Sequence, residues 1–155
     1  MNKIRIIALV MAVMMLGMCM ASCGGSTAEK VTVNANISVM VGEEVLFGPV
    51  DMTIEGTTEQ VPTVLQLAEE AFTMYEIPHE VNETGISLTS VTIDGTAYAN
   101  TVTDTEIYTW YYTADGVEPE EGRAGTNALV EGQSIVFIYG STLINPEDFS
   151  DEGGR

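Results

Sequence analysis

Apolar and polar residues alternate most clearly near the start of the chain, at Val31, Val33, Ala35, Ile37 and Val39. A period of two is typical of a strand with one buried face, so we expect a first strand here. A second extended stretch is expected over residues 45–54. Pro49 interrupts it and has no N–H to donate to a neighbouring strand, which predicts an edge position or a bulge.

One later segment carries the wider apolar spacing of a helix. Thr63, followed three residues later by Gln66, has the form of a capping box and predicts a helix over 64–75. The apolar side chains of this segment form one broad face, at Val64, Leu65, Leu67, Ala68, Ala71, Phe72 and Tyr75. Pro78 is expected to end the helix.

The rest of the chain is typical of strands joined by tight turns. Further extended stretches are predicted over 86–93, 96–98, 107–113 and 134–139. Asp94-Gly95 and Asp115-Gly116 are residue pairs that favour hairpin turns. One helix with strands before and after it is an α+β order. The predicted fold is therefore a small mixed sheet crossed by one α-helix, the β-grasp arrangement.

The amino terminus has the pattern of an export signal. Lys3 and Arg5 precede an uncharged run over 6–20, which is shorter than the ~20 residues of a membrane-spanning helix. Met20-Ala21-Ser22-Cys23 resembles a bacterial lipobox, which implies a signal peptide over 1–22, diacylation of Cys23 and a flexible tether over 23–30. Since Met20 stands where leucine is typical, an ordinary secretory signal with an incidental cysteine stays open.

Charge and cysteine content narrow the function classes. The chain of 155 residues carries 23 acids and a net charge of −18, and cleavage before Cys23 would bring the net charge to −20. Such a surface repels nucleic acid and anionic headgroups, so we expect membrane contact only through the lipid. Both cysteines, Cys19 and Cys23, lie at the signal. This excludes a disulfide framework and a thiolate zinc site in the domain.

Four motifs occur in an order known from one protein family: Val61–Leu67, Ser90–Gly95, Trp110–Gly116 and Leu129–Gly140. Together they resemble the transcobalamin C-terminal-like domain, a β-grasp module of bacterial surface proteins. The resemblance covers 31–140 and leaves 141–155 as an acidic tail. The family's usual Asn-Gly after the tryptophan strand is Asp115-Gly116 here.

The resemblance implies a function. In transcobalamin-type carriers a corrinoid lies between a helical domain and the β domain, and no helical domain precedes the β domain in this sequence. We therefore expect a lipid-anchored, extracytoplasmic module that binds a corrinoid or similar bulky solute for uptake, with a partner protein completing the site. The alternative is a structural or adhesive surface domain that binds a protein or a glycan.

Four residues are candidates for the ligand site. Tyr108, Trp110 and Tyr112 project from one face of their strand, and could form an apolar platform for a planar macrocycle. The alternative is that Trp110 packs under the helix. Arg123 is the only cation between Lys30 and Arg155 and could orient an anionic or amide group. Alternatively, it is a solvated residue with a weak ion pair.

The expected location of a small ligand is the end of the sheet, where the Asp115-Gly116 turn meets the 122–125 loop. Tyr112 and Arg123 are the expected contacts, because loops at the ends of elements carry function more often than the strands they join. Tyr112 is the last aromatic residue before the turn, so we expect it to be the least buried of the three. One face of a small sheet encloses little ligand, so a dissociation constant no tighter than about micromolar is expected.

Nothing in the sequence points to catalysis or to a metal. It contains no GxSxG elbow, no HExxH and no phosphate loop. His79 stands alone, and the clustered acids lack EF-hand spacing. We therefore expect a protein that is not an enzyme, with no metal site, no nucleic-acid partner and no cofactor other than a corrinoid as ligand.

Overall fold

The structure is a computed structural model that describes residues 28–120 and 123–143. Its elements in chain order are β1 (Lys30–Val41), β2 (Glu44–Thr57), α1 (Val64–Met74), β3 (His79–Val81), β4 (Leu88–Ile93), β5 (Thr96–Ala99), β6 (Thr101–Val102), β7 (Glu106–Ala114) and β8 (Ser134–Leu143). The predicted signal peptide, Cys23 and most of the predicted tether and tail lie outside the described residues.

The predicted α+β class with a β-grasp sheet is wrong, because the described part of the protein is mostly β, with 55% of its residues in strands and 10% in helix. Its strands form a five-stranded sheet in the order β2-β1-β8-β7-β6 and a three-stranded sheet in the order β3-β4-β5. A single residue, Asn100, separates β5 from β6, so the chain bends from one sheet into the other and the whole β structure curls. The prediction failed because these pairings join strands far apart in sequence, which periodicity does not report.

The first and last strands lie side by side in the middle of the larger sheet. β1 pairs with β8 in parallel, from Asn36↔Ser134 to Val41↔Tyr139, and with β2 in antiparallel. The alternation predicted for β1 is confirmed, since Val33, Ala35, Ile37 and Val39 are buried.

The prediction for Pro49 is also confirmed. β2 is an edge strand, and its register against β1 shifts between Ile37 and Val39, opposite the proline. Gly48 has a φ of +84° and its Cα lies against the backbone of Ile37 and Ser38, so no side chain fits there.

The helix begins where the capping box predicts, although only half of the box forms. The Thr63 hydroxyl accepts a hydrogen bond from the Gln66 N–H at 3.2 Å. The Gln66 side chain does not return to Thr63 but donates to the Glu55 carbonyl and the Glu70 carboxylate. The first two helical N–H groups donate to loop carbonyls, Val64 to Asn127 and Leu65 to Ala124. These bonds fix the loop after residue 123 against the start of the helix.

Both predicted hairpin turns are confirmed. Asp94 and Gly95 have φ values of 50° and 77°, and Asp115 and Gly116 have 53° and 80°, the left-handed region that a type I′ turn requires at both central residues. The sequence missed β3, which has only three residues and therefore no measurable period.

One hydrophobic core joins the helix and the two sheets. Its largest fully buried side chains are Phe72, Phe137, Ile37, Ile54, Leu65 and Leu67. The helix packs mainly against β1 and β2. Within 28–120 and 123–143, no helix combines the length and the apolar character needed to cross a bilayer.

Candidate functional site

The predicted aromatic face of β7 points inward. Trp110 lies beside Tyr139 with ring centroids 5.2 Å apart, and Tyr112 lies beside Phe137 with centroids 5.7 Å apart. Trp110 is 8% exposed and Tyr112 is 7% exposed, whereas Tyr108 is half-buried. The three side chains therefore do not form an open platform for a ligand.

Trp110 joins the two sheets. Its indole Nε1–H donates to the Tyr98 carbonyl at 2.8 Å, and its backbone N–H donates to the Asn100 side-chain oxygen at 3.1 Å. Both acceptors lie at the bend between β5 and β6. Trp110 is a core residue, as the alternative interpretation predicted. However, its hydrogen bonds and its ring contact are with strands and not with the helix.

The expectation that Tyr112 is the least buried of the three is wrong. Its hydroxyl accepts a hydrogen bond from the Asn127 side-chain amide. Asn127 belongs to a loop held to the start of the helix, since the Leu65 N–H donates to Ala124 and the Leu129 N–H donates to Pro62. This loop covers the end of β7, which the strand pattern alone does not show.

A cavity of about 150 Å³ opens beside the buried aromatic residues. Its walls include Ser87, Leu88, Trp110, Tyr112, Glu118 and Arg123. Three of the four predicted site residues therefore meet at one cavity, near the turn and loop where a ligand was expected. The walls from Ser87, Leu88 and Glu118 were not predicted: Ser87 and Leu88 belong to a segment distant in sequence from β7, and Glu118 follows the turn after β7 without a pattern of its own.

Tyr108 does not belong to this cavity. Its hydroxyl donates to the Glu106 carboxylate at 2.7 Å, and the other oxygen of that carboxylate accepts from the Ser141 hydroxyl at 3.2 Å. The hydrogen bond to Glu106 is the main cause that raises the pKa of Tyr108 above its ordinary value, because it favours the protonated phenol. Its ring stacks on Tyr139 at 5.9 Å.

Arg123 has a fixed backbone and an exposed side chain. Its N–H donates to the Thr126 hydroxyl at 2.9 Å, and that hydroxyl donates to the Arg123 carbonyl at 3.0 Å. Among the described residues the guanidinium makes no ion pair; the salt bridge that they do contain joins Lys30 and Glu55. Arg123 thus lies at the cavity wall, where a guanidinium can donate hydrogen bonds to a ligand.

The described residues contain no group of three histidine, cysteine, aspartate or glutamate side chains placed to hold a metal ion. His79 has structural contacts, with its Nδ1 3.0 Å from the Ile77 carbonyl oxygen and its ring 5.3 Å from that of Phe72.

No family model and no curated protein sequence matches the chain. Among solved structures, a protein from Ruminococcus gnavus ATCC 29149 described as a candidate metal binding protein aligns with a TM-score of 0.40 and 15% identity, over 71% of this chain and 98% of its own.

Haptocorrin in complex with Cbi aligns with a TM-score of 0.51 and 18% identity, over 81% of this chain. The chain spans 29% of the haptocorrin chain, so the shared fold is one part of a longer protein there. At this level of identity the likeness concerns the fold, and the chain has the fold of that part of haptocorrin.

Proposed function

We propose that this protein is a lipid-anchored, non-catalytic binding module on the extracytoplasmic face of the membrane, and that its ligand is a corrinoid or a similarly bulky solute. The observation that carries the proposal is the cavity at which Trp110, Tyr112 and Arg123 meet. The fold shared with haptocorrin, solved with Cbi, supports the ligand class, as does the resemblance to the transcobalamin C-terminal-like family.

The cavity sets how much of a ligand the module holds. Ligand pockets usually measure roughly 300–1,000 Å³ and enclose most of the ligand, whereas this cavity measures about 150 Å³. It therefore accommodates an edge or a side group of a corrinoid, and most of the macrocycle would stay outside. A partner protein that covers the remainder would complete the site, and the module alone would bind no more tightly than about micromolar.

The walls of the cavity suit a group that is apolar on one side and polar on the other. The edges of Trp110 and Tyr112 offer apolar contact. Arg123 offers guanidinium donors to an amide or anionic group, and the Ser87 hydroxyl lies on the same cavity. Glu118 is a wall residue too, so an amide is favoured over a fully charged anion.

The test of binding uses the single tryptophan of the chain as reporter, since Trp110 lies at the cavity. Titration of the protein with Cbi should change the Trp110 fluorescence in a saturable way, with a dissociation constant of about micromolar or weaker. Arg123→Gln should weaken binding about tenfold, as expected for the loss of one charge-assisted hydrogen bond. Lys30→Gln is the matched control, because it also removes one exposed cation but lies at the start of β1.

Two results would contradict the ligand proposal. Equal binding by the Arg123→Gln and Lys30→Gln variants would move the site away from the cavity. A fluorescence signal that does not change with Cbi or with any other corrinoid would remove the ligand class.

The anchor is tested separately. Metabolic labelling with an alkynyl fatty acid should mark the wild-type protein and leave Cys23→Ala unlabelled. Labelling that survives this substitution would exclude Cys23 as the lipidated residue.

One observation favours a second function, an adhesive or structural surface domain. Trp110 and Tyr112 are 8% and 7% exposed, which is the burial of core residues and not of a ligand platform. On this proposal the aromatic strand serves stability alone, and no corrinoid would bind with or without a partner protein.

A further inference from the structure

The five-stranded sheet has a second face, which points away from the core and is here named the outer face. Four apolar side chains cross it in one row, each beside the next on a neighbouring strand: Val45 on β2, Met40 on β1, Ile138 on β8 and Tyr111 on β7. Val45 is 54% exposed and Tyr111 is 38% exposed, and the two between them are half-buried. We refer to these four side chains as the apolar row.

Apart from Lys30 at the start of β1, which forms a salt bridge with Glu55 on β2, the outer face carries no charge on its three central strands. Their outward positions are Thr32, Asn34, Asn36, Ser38 and Met40 on β1, Ser134, Val136, Ile138, Gly140 and Thr142 on β8, and Ile107, Thr109, Tyr111 and Thr113 on β7. In a chain with 23 acids and a net charge of −18, such a surface is exceptional. The acids begin at its rim, with Asp51 and Glu55 on β2 and Glu131 beside Asn34.

The described elements leave this face uncovered. The helix and the three-stranded sheet contribute to the single core on the opposite side of the sheet. Tyr111 is also held in place for contact, because its ring lies over Gly140, where an added Cβ would be 3.2 Å from the ring atom Cε1. A flat, uncharged surface with a fixed aromatic ring is suited to packing against another sheet face.

We propose that the outer face is the contact surface between two copies of this chain. The charge distribution favours this face for contact between two copies. Almost any other contact between two copies would bring one acidic surface against another, and the two would repel. A two-fold contact places the same patch of both copies together, so the patch must be complementary to itself. An uncharged face with an apolar row meets that requirement, and the acids at its rim remain in water.

The size of the face sets the strength of the contact. Four strands about 4.8 Å apart and about five outward residues along each give roughly 500 Å² per copy, or about 1,000 Å² in total. That area lies at the lower limit for specific interfaces, so the dimer is weak and forms at high local concentration. Since the rims repel each other, screening by salt should strengthen the dimer.

Sedimentation equilibrium on residues 28–143 tests the proposal. This segment contains every residue of the core, which runs from Val33 to Phe137, and it excludes the apolar run at the amino terminus. We expect a monomer–dimer equilibrium whose dissociation constant falls severalfold between ~0.1 M and ~1 M sodium chloride, as the screening length shortens from ~10 Å to ~3 Å.

A matched pair of variants locates the contact. Val45→Glu places a charge on the apolar row and should raise the dissociation constant at least about tenfold, because each dimer would bury two unpaired carboxylates. Met74→Glu adds the same charge at a side chain that is 65% exposed on the helix, and should leave the equilibrium close to that of the wild type. Circular dichroism checks that both variants are folded, which their exposed positions favour.

Two outcomes overturn the proposal. The first is a monomer at every protein and salt concentration, which would leave the outer face to a different partner. The second is a dimer that Val45→Glu and Met74→Glu weaken equally, which would place the contact elsewhere. Neither outcome bears on corrinoid binding, which is measured independently at the cavity.

Discussion

The two faces of β7 carry similar aromatic residues in opposite environments, one face buried in the core and the other exposed to solvent. Tyr112 points into the core and is 7% exposed, whereas its neighbour Tyr111 points outward and is 38% exposed. The Tyr112 hydroxyl accepts a hydrogen bond from the Asn127 amide and its ring packs beside Phe137, while the Tyr111 ring lies over Gly140 on the outer face. The comparison shows that a period of two assigns residues to faces, but that only the packing of distant segments decides which face is inside.

The largest effect should come from truncating the buried one of the two adjacent tyrosines, Tyr112. Tyr112→Ala should lower the free energy of unfolding by about 3–5 kcal/mol, since it removes a buried ring and leaves a cavity. Tyr111→Ala should cost less than about 1 kcal/mol, as is usual for a surface position. Urea denaturation followed by circular dichroism measures both losses. Equal losses would mean that the two faces do not differ in burial as described.

The success of the sequence predictions depended on how far apart the contacting residues lie along the chain. Local signals predicted well: Thr63 marked the start of the helix, and Asp94 and Asp115 marked their turns, because the responsible contacts lie within a few residues. Three of the four residues predicted to contact a ligand, Trp110, Tyr112 and Arg123, lie on the walls of one cavity, and their role in binding stays a prediction.

The predictions that failed depended on contacts between residues far apart in the sequence. The fold class depended on the pairing of β1 with β8 and on the bend at Asn100, neither of which has a local signal. The burial of Tyr112 depended on a loop that is held by the helix. Such contacts form between segments that the sequence separates by tens of residues, and no single-sequence period records them.

The next largest effect concerns the hydrogen bond that joins Trp110, on the inner face of β7, to the three-stranded sheet. Trp110→Phe keeps an aromatic ring but removes the indole donor to the Tyr98 carbonyl. We expect a loss of about 1–3 kcal/mol, the cost of leaving such an acceptor unsatisfied. Tyr98→Phe is the control, because it changes a side chain at the same contact but keeps both its ring and the backbone acceptor of the indole N–H. A loss in the control as large as in Trp110→Phe would show that the hydrogen bond from the indole is not the source of the loss.

A smaller effect concerns the rim of the outer face. The Glu131 carboxylate accepts hydrogen bonds from the Asn34 N–H at 2.8 Å and from the Asn34 side chain at 3.0 Å. The backbone bond is the main cause that lowers the pKa of Glu131 in the folded protein. The resulting stabilisation is therefore present above the ordinary glutamate pKa of 4.5 and is lost as pH falls through the lowered value.

Glu131→Gln should make unfolding less dependent on pH below about 4.5, as measured by the urea midpoint across an acid series. Glu43→Gln, on the exposed turn between β1 and β2, is the control and should retain the wild-type profile. A wild-type profile in Glu131→Gln would show that the bonds to Asn34 do not contribute.

The smallest effect distinguishes the inner Tyr108 from the outer Tyr111 at alkaline pH. The pKa of Tyr108 is raised from 10.0, first by its hydrogen bond to Glu106, so its stabilisation is present below 10 and is lost as pH rises through the raised value. Tyr108→Phe should remove a small alkaline loss of stability, measured by the urea midpoint across an alkaline series, with Tyr111→Phe as the matched variant on the outer face. The tyrosinate absorbance of the two variants, titrated spectrophotometrically, checks the assignment.

The parallel pair of β1 and β8 has a mechanical consequence. The chain enters the described region at the start of β1 and leaves it at the end of β8, and because these strands run in the same direction the two exits lie at opposite ends of the pair. A force that pulls the ends of the domain apart would slide one strand along the other and strain all their hydrogen bonds together, whereas a terminal hairpin would open one bond at a time. If the amino terminus carries the proposed lipid anchor, a force between the cell surface and the other end of the domain would act along this parallel pair.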